Sequence, residues 1–288
     1  MNIKPFPVAV VGLGPGSQPE DPDLAYMPLP REIDSFDQPS LPTSEEVEHL
    51  HAAKQVIAEL ITQLQGYQGD AENYPVQDIS QLDSANRQLI NQLLGEGEVS
   101  CRVKLQDGRE LDMQESVFAG IWRVLESSAD GQLLADRIEA CPIPSAVWQA
   151  AQAFGRPQLE LPTLPAGQLM NAGPVLTEIA AAMQHPGSEA HIINFSLLPM
   201  SPADMDCLDA ILGPGNSGVF SRGYGKCRIM ATSLRNVWRV QYFNGMNAIL
   251  LDTLEITRIP EVALASTDDL ADSLDRLQEA WQWLQGEY

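Results

Sequence analysis

The sequence predicts an α+β fold in which one unit, helices followed by an antiparallel β-meander, occurs twice in tandem. Three observations carry that prediction. First, the chain repeats itself. VIAELITQLQGYQGDAE (56–72) aligns with VLTEIAAAMQHPGSEAH (175–191), LDSANRQLINQLLGEG (82–97) with MSPADMDCLDAILGPG (200–215), IWRV (121–124) with VWRV (237–240), and LLADRIEACPIP (133–144) with ILLDTLEITRIP (249–260). The order is kept and the offset shortens only from 119 to 116 residues, so the indels fall between anchors. Second, Asp107-Gly108, Asp130-Gly131 and Asn244-Gly245 separate runs of strand-forming residues; such dipeptides close hairpins. Strands joined this tightly run antiparallel, which excludes a doubly wound sheet. Third, a helical period precedes the meander in each copy and stops at a glycine, Gly95 or Gly213, the residue type that ends helices in a left-handed conformation.

In chain order, residues 1–43 read as an extended Pro/Gly-rich arm, since nine of the 21 prolines fall within residues 1–42. Its GLGPGS stretch (12–17) looks like a phosphate-cradling loop, but Ser17 stands where the third glycine belongs. Pro19, Pro22, Pro28 and Pro30 deny the following segment a helix whose amides could hold a phosphate. The first unit, 44–154, opens with an amphipathic helix (44–66) and a polar loop leading to a short strand. A second helix runs from near Ser84 to Gly95, followed by the strands VSCRVKL, RELDMQE, SVFAGIWRVLE and QLLADRIEA. Residues 155–172, with Pro157, Pro162 and Pro165, form a linker. The second unit, 173–288, repeats the plan: a helix over 173–184, a second from Ser201-Pro202 to Gly213, and the strands VFSRGYG, CRIMATS, NVWRVQYF and ILLDTLEIT. Ile-Pro at 143–144 and 259–260 starts a further helix, and DDLADSLDRLQEAWQWLQ closes the chain as an amphipathic helix. Trp122 and Trp238 are core anchors, so Arg123 and Arg239 point to the opposite face of the sheet. Packing about a pseudo-twofold would set the Gly-Glu-Gly and Gly-Pro-Gly turns in related positions.

Seventeen Lys and Arg against 39 Asp and Glu give a formal charge of −22. A chain this acidic repels nucleic acid and anionic membrane surfaces. No run approaches the ~20 apolar residues of a membrane span, and the first, Val8 to Val11, is too short for a signal peptide. Cys101, Cys141, Cys207 and Cys227 lie far apart with no CxxC pair, which fits reduced thiols in a cytoplasmic protein rather than a disulfide frame. Neither HExxH, GxSxG nor a P-loop occurs. The expectation is therefore a non-enzyme without a built-in metal or cofactor. Asp136 and Glu139 recur as Asp252 and Glu255, but residues three apart in a strand face opposite sides, which favours structural pairing with a nearby Arg over acid–base work. Residues 210–251 hold no Asp or Glu but do hold Arg222, Lys226, Arg228, Arg235 and Arg239. That basic island is a docking surface unless its side chains pair with the protein's own acids.

GPGSQP near the N-terminus, LLGEGEVS (93–100), ESVFAGIWRV (115–124), LGPGN followed by GYG (212–225), a Trp one strand later, and IPEV (259–262) together resemble the hydrogenase expression/formation family of HupH/HyaF/HoxQ type, over almost the whole chain. The resemblance implies an accessory protein of uptake [NiFe]-hydrogenase maturation that binds the small, iron–sulfur subunit precursor before export. It also implies a thioredoxin-like maturation protein as a companion. It carries no catalytic residues, only motif positions: Gly14, Pro15, Gly16, Gly95, Glu96, Gly97, Gly213, Pro214, Gly215, Asn216, Gly223, Tyr224 and Gly225. The expected partner-binding face combines Arg222, Lys226, Arg228, Arg235 and Arg239 with the turns at 213–216 and 223–225. The alternatives are a metal- or cluster-handling factor using Cys101 or Cys227, and a scaffold bridging other maturation proteins.

Overall fold

Ten strands join one antiparallel sheet in the order β1-β5-β4-β3-β2-β7-β8-β9-β10-β6. A computed structural model describes residues 42–286 apart from 68, 164–168, 185, 186, 188 and 224; the expected arm, with Gly14, Pro15 and Gly16, lies almost wholly outside the described residues, and Tyr224 lies outside them too. The strands of the first half are β1 (Val76–Asp78), β2 (Val99–Lys104), β3 (Glu110–Glu115), β4 (Ile121–Ser127) and β5 (Leu133–Ala140). Those of the second are β6 (His191–Asn194), β7 (Pro214–Ser221), β8 (Lys226–Thr232), β9 (Val237–Phe243) and β10 (Ile249–Ile256). The helices are α1 (His51–Gln65), α2 (Ser84–Leu94), α3 (Ser145–Phe154), α4 (Ala172–Gln184), α5 (Pro202–Leu212) and α6 (Thr267–Gln285), with a 3₁₀ turn at Glu261–Ala263.

The duplication is written in the strand register. Cys101 pairs with Met113 as Val219 pairs with Ile229, Met113 with Val124 as Ile229 with Val240, and Trp122 with Glu139 as Trp238 with Glu255. At the edges, Val76 faces Glu139 as Ile192 faces Glu255. The halves meet where β2 runs antiparallel to β7, and there Cys101 faces Val219, its own counterpart. A pseudo-twofold axis therefore passes through that pair. The two units are not separate modules; they share one sheet.

Alternation sorts the core into layers. Trp122 and Trp238, both 1% exposed, lie on one face with Cys101, Met113, Val124, Val219, Ile229 and Val240, beneath α3. Their neighbours turn the other way. Ile121 and Ile138 meet α1, α2 and α6, while Val237 and Leu254 meet α4 and α5. Burying two tryptophans and their aliphatic neighbours in one cluster joins side chains of both halves and adds to the β2–β7 pairing. Their indole N–H groups donate to Cys141 O at 3.1 Å and Arg258 O at 3.3 Å, so neither carries an unmet donor into the core.

Several expectations are corrected in detail. The helix expected over 44–66 begins at His51, behind a run of turns. Gly95 and Gly213 do end α2 and α5 with positive φ, +55° and +60°, but with ψ of −160° and 168°. That extended region with positive φ is open only to glycine and sends the chain straight into β2 and β7. Residues 116–119 are not strand. Ser116 Oγ accepts the Phe118 amide at 3.1 Å, and the chain turns before β4 starts at Ile121. In the Asn244-Gly245 turn the left-handed residue is Asn247, with φ +60°, and Asn244 Oδ1 accepts the Met246 and Ala248 amides. The linker's first residues are packed: Gly155 and Arg156 lie against the 233–235 turn, with Arg156 N donating to Ser233 O and Arg235 N to Arg156 O, each 2.9 Å. After Pro260 only a 3₁₀ turn forms, because the Ser266–Asp269 capping box starts α6 at once. Finally, α6 returns to the first half, where Leu277 and Leu284 are buried against α1 and α2.

Candidate functional site

The five cations of the expected basic face have different surroundings. Arg239, whose side chain is 11% exposed, is clamped by Asp252 at 2.7 and 2.9 Å and by Asp209, and lies 5.9 Å over the Phe195 ring. It lies on the α5 side of the sheet, opposite Trp238, as the alternation requires. Arg123 is held in the same way by Asp136 and Asn91. The recurring aspartates are thus structural counter-ions, and Glu139, on the other face, accepts the Tyr74 hydroxyl at 3.0 Å. Arg228 is half-buried, 5.4 Å from the Phe243 ring. Arg235 is exposed and donates to Gln152 O, and exposed Lys226 donates to Asn247 Oδ1. Arg228 and Arg239 line a small pocket of about 40 Å³ with Gly213 and Pro214, while Arg222 meets Glu96 and Gly97 of the first half's motif.

That meeting place is a cleft of about 550 Å³ beside the pseudo-twofold axis. Its walls are the α2–β2 turn (Glu96, Gly97, Glu98, Val99), the end of β3 with the following turn (Glu115, Ser116, Val117, Ala119), Arg222 beyond β7, and Arg276 of α6. Two backbone contacts hold the walls: Gly97 N donates to Glu115 O at 2.7 Å and Arg222 N to Glu98 O at 2.9 Å. Gly97 is required by close approach, since a Cβ there would lie 2.2 Å from Ser116 O, a backbone atom that cannot step aside. Gln114 Nε2 donates to Gly97 O, Val99 O and Glu115 O, fastening the same turn from below.

Glu115 opens the 115–124 motif stretch but is not among the residues expected to act, and the structure sets it at this cleft. Only 8% of it is exposed, and its Oε1 accepts the Gly120 amide at 2.9 Å. Burial pushes its carboxyl up to about 7; the Gly120 amide opposes the rise, while the negative charges of Asp269 and Glu98 add to it. Among the described residues no cation stands within ion-pair distance of Glu115, Glu96 or Glu98, and no carboxylate within that distance of Arg222.

The second-half motif serves the fold. Gly213 ends α5, Pro214 begins β7, and a Cβ on Gly215 would lie 2.5 Å from Ala231 O. Asn216, 7% exposed, donates Nδ2 to Lys104 O at 2.8 Å and so ties β7 to the end of β2. Gly223 adjoins Arg222 at the cleft, and Gly225 turns the chain into β8 with φ +102°. Cys101 and Cys227 are buried in β2 and β8. Burial pushes the Cys101 thiol well up, helped by Glu115, and pushes the Cys227 thiol up to about 11 despite its hydrogen bond with Tyr242. Among the described residues no three His, Cys, Asp or Glu side chains group as a metal site, and no helix is long and apolar enough to cross a membrane.

Fold and cleft together define an internally doubled α+β protein whose sequence motifs frame a groove between its halves. The chain belongs to the family of the HupH hydrogenase expression protein, C-terminal conserved region, whose model matches it twice, over residues 50–161 and 169–284. It is 41% identical to hydrogenase expression/formation protein HoxQ of Cupriavidus necator over 97% of this chain and 98% of that one. To hydrogenase-1 operon protein HyaF of Escherichia coli it is 39% identical, over 94% and 95%. To HupH of Rhizobium leguminosarum bv. viciae it is 48% identical, over 71% and 73%. A solved structure of hydrogenase expression protein HupH from Thiobacillus denitrificans is 31% identical and covers 38% of this chain and 92% of that one, with a TM-score of 0.36.

Proposed function

We propose that this chain acts in hydrogenase maturation by holding another polypeptide, the precursor of the small, iron–sulfur subunit of a nickel–iron hydrogenase, in the cytoplasm before export. A thioredoxin-like maturation protein is its proposed companion. The role in maturation follows from the family; the binding role is supported by one observation above the others. Two segments more than a hundred residues apart, Glu96–Gly97 and Arg222, converge on one cleft, where Arg222 presents a charge that no carboxylate of the described residues neutralises. An exposed, unneutralised Arg at the rim of a groove is a feature of recognition surfaces. The reading in which Cys101 or Cys227 handles metal draws less support, since a metal ligand must be a thiolate and burial disfavours that form at both.

Tagged protein purified from cells that make the hydrogenase should bring the small-subunit precursor with it. Arg222→Glu should reduce that capture at least tenfold while the large subunit stays absent from both samples. Equal capture by the variant would remove the cleft from the binding surface; a precursor absent from the wild-type sample would overturn the partner.

A further inference from the structure

We propose that the cleft is a receptor for a single basic side chain, an arginine or lysine of the bound polypeptide, with the Glu115 carboxylate as its counter-ion at the floor and Glu96 and Glu98 at the rim. The proposal names the chemistry of the partner at the site described above and rests on that binding reading.

The geometry carries it. Glu115 ends β3 and is more than nine-tenths buried, yet it lines the cleft. One oxygen, Oε1, is used by the Gly120 amide; the other has no hydrogen-bond or ion-pair partner among the described residues. A carboxylate is expensive to keep inside a protein without a cation. The first half carries this group where the second half has Ala231, two residues beyond the paired Met113 and Ile229. The fold therefore does not need an acid at this position.

The charged groups around the cleft define what fits. Glu96 and Glu98 face it from the α2–β2 turn, Asp269 acts on it from α6, Arg222 stands at the β7 side, and Arg276 of α6 lines its wall. Arg276 is already engaged, 5.3 Å from the Phe118 ring and 3.7 Å from Asp272. The charges acting on Glu115 are those of Asp269 and Glu98, both negative. Along the Glu98 wall a cation passes Glu96 and Glu98 before it reaches Glu115, whereas an incoming carboxylate would meet three glutamates there; Arg222, at the opposite wall, repels a cation and is left to meet a carboxylate of the same polypeptide. Capture of the cation favours ionised Glu115, so binding releases one proton to solvent when the acid starts protonated.

The test uses the full chain and N-acetyl-arginine amide, with N-acetyl-citrulline amide, its neutral isostere, as control. Amide shifts of Gly97 and Gly120 are followed by nuclear magnetic resonance at pH 6 and pH 8. The arginine derivative should give saturable shifts, with affinity about tenfold higher at pH 8, because the ionised fraction of an acid titrating near 7 changes by that factor across the interval. Glu115→Gln, which keeps an oxygen for the Gly120 amide, should lose the pH dependence and most of the binding. Should that variant fail to give a dispersed spectrum, Glu115→Asp takes its place and should bind more weakly with the pH dependence retained. The proposal is overturned by an absence of saturable shifts, by equal shifts with the citrulline derivative, or by binding that ignores pH or the loss of Glu115. Arginine binding without capture of the hydrogenase precursor would keep the receptor and sink only the partner assignment.

Discussion

Around Trp122 and around Trp238 the two halves are built alike. Each indole donates to a backbone carbonyl at the end of the following strand, and each next-door arginine is clamped by an aspartate thirteen residues on. Each of those aspartates receives help from a serine, Ser80 or Ser196, whose hydroxyl accepts its amide at 2.9 Å. Around the Gly-x-Gly turns the halves differ. Glu98, Glu115 and Arg222 surround one turn, and their counterparts Asn216, Ala231 and Lys104 surround the other. Asn216 and Ala231 are buried, and Ala231 stands where the first half carries Glu115. Duplication preserved what each half needs to fold. It left the neighbourhood of the axis free to diverge, and that is where the proposed cleft lies.

The sharpest way to break the likeness is at the tryptophans. Trp122→Ala and Trp238→Ala should each cost about 3–5 kcal/mol, because each empties a fully buried site of the same packing kind. Urea midpoints and slopes of the two variants should agree closely. A difference of more than about 2 kcal/mol between them would show that one half carries the core and the other leans on it.

Much of this comparison is legible in the sequence, for a physical reason. Residues that set local geometry leave local marks: glycines after helices, Asp-Gly between strands, Ser201-Pro202 at a helix start, and Trp-Arg with an aspartate at fixed spacing. The glycines after helices and the Trp-Arg with its aspartate recur in both copies, while the turn and helix-start marks differ between them. What is not legible depends on neighbours distant in the chain. Nothing in VSCRVKL or GNSGVFS says that β2 and β7 pair with each other, so the single sheet had to be seen. Glu115 reads as one more carboxylate in an acidic chain, because its burial comes from the 116–119 turn and its field from Glu98 and Asp269. Arg239 reads as part of a basic island only while its partners Asp209 and Asp252, outside the island's bounds or at its edge, are unplaced.

Glu115 sharpens the contrast through pH. Its carboxyl is raised to about 7 in the folded chain, above its ordinary value of 4.5. The folded state therefore holds a proton that the unfolded state has lost between those values. Stability contributed by the protonated form is present below about 4.5 and is lost as pH rises through 7. Glu115→Gln removes the penalty, so the variant should match wild type near pH 4 and exceed it by up to about 3 kcal/mol at pH 8. The difference between the two urea titrations isolates this group from the other acids. A difference independent of pH would mean that the cleft leaves Glu115 as well hydrated as a surface acid.

Smaller effects test the parts of the two turns that are shared. A methyl on Gly97 would reach 2.2 Å from Ser116 O, and one on Gly215 would reach 2.5 Å from Ala231 O. Gly97→Ala and Gly215→Ala should each lose about 1–3 kcal/mol through displacement of packed backbone. Only the first should weaken binding of the arginine derivative, since only the first moves a wall of the cleft. Loss of binding with Gly215→Ala as well would mean that the two turns are coupled across the axis.

The smallest expected change in stability separates docking from folding most cleanly. Arg222 and Lys104 occupy counterpart positions, three residues beyond Val219 and Cys101. Lys104 is exposed and pairs with Glu110 at 3.1 Å, an interaction that water and salt largely cancel. Arg222 is exposed and has no such pair among the described residues. Arg222→Glu and Lys104→Glu should therefore each shift stability by no more than about 0.5–1 kcal/mol, within the range of surface substitutions. Their effect on precursor capture should differ: Arg222→Glu removes it, while Lys104→Glu adds the same negative charge to an already acidic protein and leaves capture intact. If both variants lost capture equally, general electrostatic repulsion and not the cleft would govern the encounter, and added salt would then restore both together.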